Sequence, residues 1–100
     1  MSFEVVKMVF EHTKTRGVSR LILLAIASFV NDKAYKATGK AESFPSVAKI
    51  AVRAGVSQRC VKDHLPKLRE SGEITWENHG RSNHYNINIP LDSDYGVVRT

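Results

Sequence analysis

SVAKIAVRAGVSQRCVKDHLPKLRESG, residues 46–72, is the stretch whose reading decides the fold. It reads as a helix, a tight turn and a second helix. Ser46 follows Pro45, and a serine hydroxyl at this place accepts from an otherwise unpaired N–H of the first turn. Val47, Ile50, Ala51 and Ala54 then form one apolar face. Gly55 stands where a left-handed C-terminal residue is expected, because glycine takes positive φ without steric cost. Val56 plugs the gap between the helices, and Ser57 is the next N-cap. Val61, Leu65 and Leu68 recur at i, i+4 and i+7, which predicts one buried stripe on a helix over Ser57–Glu70. Pro66 lies inside that helix. It lacks an N–H and crowds the carbonyl four residues back, a cost of about 3 kcal/mol in a regular helix. A kink or a tighter last turn is therefore expected there, with Leu65 and Leu68 keeping the core spacing across it. Gly72 ends the helix.

The small Ala51, the glycine four residues later, the Val56-Ser57 pair and Val61 resemble the helix-turn-helix of DNA-binding proteins. The following ESGEITWENHGRSNHYNINI resembles the two-stranded wing of a winged helix. The combination is similar to short winged helix-turn-helix proteins of bacteria, phages and plasmids. These include small transcription regulators and the N-terminal domains of replication initiators. The resemblance runs from Phe3 to Ile89. It implies an α+β fold, mostly α, of helices followed by a β-hairpin, in a single domain over residues 1–90 with a polar tail over 91–100.

Composition agrees with one globular domain holding a modest core: 100 residues, 42% hydrophobic and 25% charged. The net charge of +5 and pI near 9.6 point to an acidic partner, of which nucleic acid is the commonest. The charge is concentrated. Residues 46–72 hold Lys49, Arg53, Arg59, Lys62, Lys67 and Arg69 against Asp63 and Glu70, a net of +4. A single cysteine, Cys60, excludes an intramolecular disulfide and suits a reducing cytoplasm. The N-terminus, MSFEVVK, lacks a basic start followed by an apolar run, so no signal peptide is expected. The most apolar run, Leu21–Ala27, is far short of the roughly 20 residues of a membrane span.

Outward from the motif, Phe3–Thr13 breaks strict alternation at Val5-Val6 and at Val9-Phe10. On a helical wheel Phe3, Val6, Val9 and Phe10 share one face and Glu4, Lys7, Glu11 and Lys14 the other, which predicts an amphipathic helix. Residues 15–18 break it. Ser19 is expected to cap a second helix running to about Asn31. Its RLILLAIASFV is apolar nearly all round, so it should be the central buried helix, with Leu21, Leu24 and Ile26 inside. Residues 31–45, NDKAYKATGKAESFP, read as the frayed end of that helix as far as Ala37 and then a solvated charged loop, or alternatively a phosphate-contacting arm, with Phe44 packing inward before Pro45. Glu73–Asn78 alternates with Ile74 and Trp76 inward. Asn83–Ile89 alternates with Tyr85, Ile87 and Ile89 inward. The residues between have turn chemistry, so the pair is a hairpin. A short strand near Val97-Val98 is a further expectation.

The resemblance places the solvent side of the second motif helix in a major groove. Taking Val61 as the core direction and about 100° per residue, Arg59, Lys62, Asp63 and Pro66 fall on the outer side, between about 100° and 200°. Gln58 lies at the rim and Lys67 adds a cation. Arginine holds guanine, and glutamine adenine, through two hydrogen bonds. Asp63 can accept from cytosine or pair with Arg59 one turn earlier. Ser46 and Ser57, at helix N-termini, and Lys49 suit phosphates. Arg81, flanked by Ser82 and Asn83, stands at the tip of the wing, where a minor groove or a phosphate would meet it.

His12, Cys60, His64, His79 and His84 show no metal-ligand spacing beyond the i, i+4 pair of Cys60 and His64. There is no phosphate-binding glycine loop, and no serine has a base and an orienting partner. No catalytic residue, cofactor or metal is therefore expected. The expected partner is double-stranded DNA, with a homodimer common for such a fold, in the cytoplasm at the nucleoid. The biological process is transcription regulation, replication initiation or plasmid maintenance. A complete chain favours a small regulator or accessory factor, and for a fragment the resemblance points equally to an initiator's N-terminal domain. The competing reading is a winged helix that binds protein.

Overall fold

The computed structural model describes residues 3–79 and 82–88. Five helices and three strands follow in the order α1 (Phe3–His12), α2 (Gly17–Ser28), α3 (Asp32–Thr38), β1 (Ala41–Ser43), α4 (Val47–Ala54), α5 (Gln58–Glu70), β2 (Ile74–His79) and β3 (Ser82–Ile87). The fold is α+β and mostly helical, with one antiparallel sheet in the order β1-β3-β2. Among the described residues no helix is long and apolar enough to cross a membrane. Helix α2 is the hub: α1 packs on one part of it, α4 and α5 on another.

The motif forms as its residues dictate. Ser46 accepts from the Lys49 N–H at 3.1 Å and Ser57 from the Cys60 N–H at 3.0 Å, so each hydroxyl satisfies a first-turn donor. Gly55, at φ 76°, sends its N–H back to Ala51 and lets the chain turn into α5. Val61, Leu65 and Leu68 are buried with Ile50 and Ala51. Helix α5 runs unbroken through Pro66. The proline ring sits on the exposed side, where the lost N–H costs a hydrogen bond but no packing.

The segment over residues 31–45 departs from the loop reading. Asn31 caps α3 by accepting from Ala34 N–H at 3.0 Å, and Gly39, at φ 75°, closes it. Strand β1 then pairs with β3, Ala41 opposite Ile87, Glu42 opposite Asn86 and Ser43 opposite Tyr85. The hairpin is thus two-thirds of a three-stranded sheet. Three residues are too few to show an alternation, so β1 is visible only through its partner. The β2–β3 register sets Ile74 opposite Ile87, Trp76 opposite Tyr85 and Asn78 opposite Asn83 on one face.

Four further expectations are corrected. Helix α2 begins at Gly17, not at a Ser19 cap, and ends at Ser28. Arg16 occupies the N-cap without a side-chain bond, and Ser19 is buried inside the first turn, 2.8 Å from His64 Nδ1 on α5. In α1 the buried residues are Val5 and Val9, while Phe3 and Phe10 are exposed. Leu21 is exposed because α2 has neighbours on most of its circumference but not there; Leu24 and Trp76 are half-buried. Phe44 faces out and stacks on His84, centroids 4.6 Å apart, while Pro45 takes the buried place. Ile89 and the Val97-Val98 strand lie outside the described residues.

One buried carboxylate joins distant parts of the chain. Glu73, just after α5, accepts from the Thr13 hydroxyl at 2.6 Å, the Thr15 hydroxyl at 2.7 Å and the Lys14 N–H at 2.8 Å. The α1–α2 turn is thereby pinned to the exit of α5.

Candidate functional site

The outer side of α5 is the candidate site. With Val61, Leu65 and Leu68 fixed in the core, the helical period leaves Gln58, Arg59, Lys62, Asp63, Pro66 and Lys67 exposed together. Arg59 and Asp63, one turn apart, do not form the ion pair that their spacing permits; none of the ion pairs among the described residues involves either.

Not every cation of the motif is free. Arg69 lies 3.5 Å over the Trp76 ring and donates to the Trp76 carbonyl at 3.1 Å. That contact ties α5 to the outer strand of the sheet and occupies a carbonyl that a sheet edge would otherwise leave unpaired. Arg53 lies 4.3 Å from the Phe29 ring centroid and donates to the Ser28 hydroxyl at 2.7 Å. Both make contacts within the domain while the residues stay exposed. Lys49, Arg59, Lys62 and Lys67 remain exposed and outside any ion pair among the described residues.

Between α5, the start of α4 and the hairpin runs an open cleft of about 380 Å³. Leu65, Pro66, Val47 and Trp76 make its apolar wall, and Ser46, Lys62, Asn78 and Asn83 its polar rim. The cleft brings Ser46, Lys62 and Asn83, three of the residues singled out from sequence, to one place. The sequence reading assigns Trp76 to the core alone and Asn78 to no site, although the period of two that turns Ile74 inward also carries both to this side.

Asn83 has two partners within the hairpin: it accepts from Asn78 Nδ2 and donates to the Tyr85 hydroxyl, each at 3.0 Å. Tyr85 is buried. Burial raises its pKa above the ordinary 10.0, and the Asn83 bond works in the opposite direction. Ser82 opens β3; Arg81, the expected wing-tip cation, lies outside the described residues. His64 is engaged with Ser19. Among the described residues no group of three or more His, Cys, Asp or Glu side chains is placed to hold a metal ion.

No protein-family model matches the chain, and no curated protein matches it.

Proposed function

We propose that this domain is a winged helix-turn-helix that binds double-stranded DNA, with α5 as the major-groove helix and the β2–β3 hairpin as the wing. The observation that carries the reading is the outer face of α5, where Arg59, Lys62 and Lys67 are exposed beside a cleft that the hairpin completes. A basic helix face flanked by a hairpin matches a groove with its phosphate walls. Strand β1 supports the reading from behind, because it anchors β3 and so fixes the hairpin root relative to α4. Arg69 does the same from α5.

The roles divide by chemistry. Arg59 and Gln58 lie in the first turn, where a recognition helix meets base edges. Lys62, Lys67, Lys49 and the helix starts at Ser46 and Ser57 suit phosphates. Asp63 accepts from cytosine. Such a domain serves as a small transcription regulator or a replication-initiation or plasmid-maintenance factor, at work on the nucleoid in the cytoplasm.

Titration against random and genomic duplexes at two salt concentrations tests the reading. Binding should weaken steeply with salt on all duplexes and persist on a selected subset. Absence of binding at low salt would discard it and favour a winged helix that binds protein.

A further inference from the structure

We propose that the cleft between α5 and the hairpin is a nucleotide site, with an unpaired base against Trp76 and Pro66 and its phosphate on Lys62 and Ser46. A nucleotide in the cleft does not require α5 to enter a groove, so this site and the groove-facing helix stand or fall separately.

The apolar wall is rigid. Trp76 is half-buried, and the buried Tyr85 lies tilted against it with ring centroids 6.1 Å apart, so the indole is held in place. Arg69 covers one face of that ring and does not line the cleft, which leaves the part of the indole that does line it open to a ligand. Pro66 lines the same cleft from α5. A proline inside a helix forfeits a backbone hydrogen bond, and on the exposed side of α5 no core packing compensates. A planar ligand gives its ring an apolar partner. Nucleobases suit such a wall, because every base has a π-face to lay on an aromatic side chain.

The rim selects by charge. Lys62 is the one charged residue among those lining the cleft. Asp63 does not line it, and Glu77 is carried to the other face of the hairpin by the alternation that brings Trp76 and Asn78 to this one. An anion is therefore favoured. Ser46 accepts from the Lys49 N–H, which leaves its own hydroxyl proton to donate. A phosphate takes both a cation and a hydroxyl donor.

The amides add a second requirement. Asn78 Nδ2 donates to Asn83 Oδ1, and Asn83 Nδ2 donates to the Tyr85 hydroxyl, each at 3.0 Å. That directed chain leaves Asn78 with an acceptor oxygen and a second N–H to offer. An asparagine amide offering both matches the N6 and N7 edge of adenine. The cation and hydroxyl come from the helices and the amides from the hairpin, so a ligand spanning the cleft meets both kinds. The volume of about 380 Å³ falls within the roughly 300–1,000 Å³ of small-ligand sites and takes one nucleotide.

Trp76 is the sole tryptophan, so its fluorescence reports the cleft directly. The full chain is titrated with adenosine monophosphate, adenosine, phenyl phosphate and a single-stranded oligodeoxyadenylate, with excitation at the red edge where nucleotides are transparent. Adenosine monophosphate should change the emission saturably with a Kd of ~0.1–1 mM, and adenosine should bind at least ~5-fold more weakly. Lys62→Gln, an exposed substitution, should remove that difference. A single strand that binds more tightly than the mononucleotide assigns the site to a nucleotide within a strand, and one that binds no more tightly assigns it to a free nucleotide. The proposal is overturned if neither adenosine monophosphate nor the strand changes the emission saturably up to ~10 mM nucleotide. Phenyl phosphate binding as tightly as adenosine monophosphate overturns it too, as does a Lys62→Gln chain that keeps the full preference for the monophosphate. Blunt duplex is titrated in parallel by mobility shift. A chain that binds duplex but no nucleotide loses only the cleft site, and one that binds nucleotide but no duplex loses only the groove-facing helix.

Discussion

Helices α1 and α5 are both amphipathic, yet they present opposite surfaces to solvent. Helix α5 buries Val61, Leu65 and Leu68 and shows cations. Helix α1 buries Val5 and Val9 and shows Phe3 and Phe10. The difference lies in how many apolar stripes each carries. Helix α5 has one, so its inner face is determined before any neighbour arrives. Helix α1 has two overlapping stripes, and the placement of α2 decides between them. Amphipathic period shows that a helix has a buried face; it identifies that face only when no rival exists.

Substitution of matched residues gives the largest test of this contrast. Leu68→Ala, in the single stripe of α5, should cost about 2–5 kcal/mol in urea denaturation, because it removes a fully buried side chain and leaves a cavity. Phe10→Ala, a larger truncation, should cost less than about 1 kcal/mol because the ring is already half in water. Equal losses would mean that the outward stripe of α1 contributes to the core after all.

Glu73 connects the two regions, so its loss should be felt in both. Glu73→Ala leaves the Lys14 N–H and the Thr13 and Thr15 hydroxyls without their shared acceptor. A loss of about 2–3 kcal/mol is expected. Hydrogen exchange should quicken at residues 13–16 and at the exit of α5 together. Faster exchange at only one of the two ends would refute the latch.

On the exposed side of α5 the effects should move from stability to binding. Arg59→Ala should leave stability within about 0.5 kcal/mol and cost about 1–3 kcal/mol of affinity on a preferred duplex, relaxing preference at one base pair. Lys62→Ala should weaken all duplexes and lower the salt slope by about one unit. Both are read by titration on specific and scrambled duplexes across a salt series. Uniform losses for Arg59→Ala would make it a positioning charge rather than a reader of sequence.

The smallest expected effect is a pH dependence in the sheet. Tyr85 has its pKa raised by burial, so the folded chain holds that proton more tightly than the unfolded one. The stability this supplies is complete below the ordinary value of 10.0 and declines as pH rises through it toward the folded value. Comparing denaturation of wild type and Tyr85→Phe from neutral to alkaline pH isolates the hydroxyl's contribution. The substituted chain should lose less stability over that window. Parallel curves would contradict it.

Much of this protein is legible in its residues because the relevant physics is local. Ser46 and Ser57 cap within three residues, Gly55 turns on its own φ, and Val61, Leu65 and Leu68 repeat with the helix. Alternation likewise announces β2 and β3 and even carries Trp76 and Asn78 to the cleft. The tertiary structure alone decides what depends on residues far apart. It recruits three residues of an apparent loop as β1, because β3 offers an edge. It turns Phe10 outward, and gives Ser19 to His64 rather than to a helix start. It also orients Arg53 and Arg69 by stacking them on Phe29 and Trp76. A cation's residue type fixes its charge, whereas its availability to a partner is set by which aromatic ring or carbonyl the fold has brought within reach.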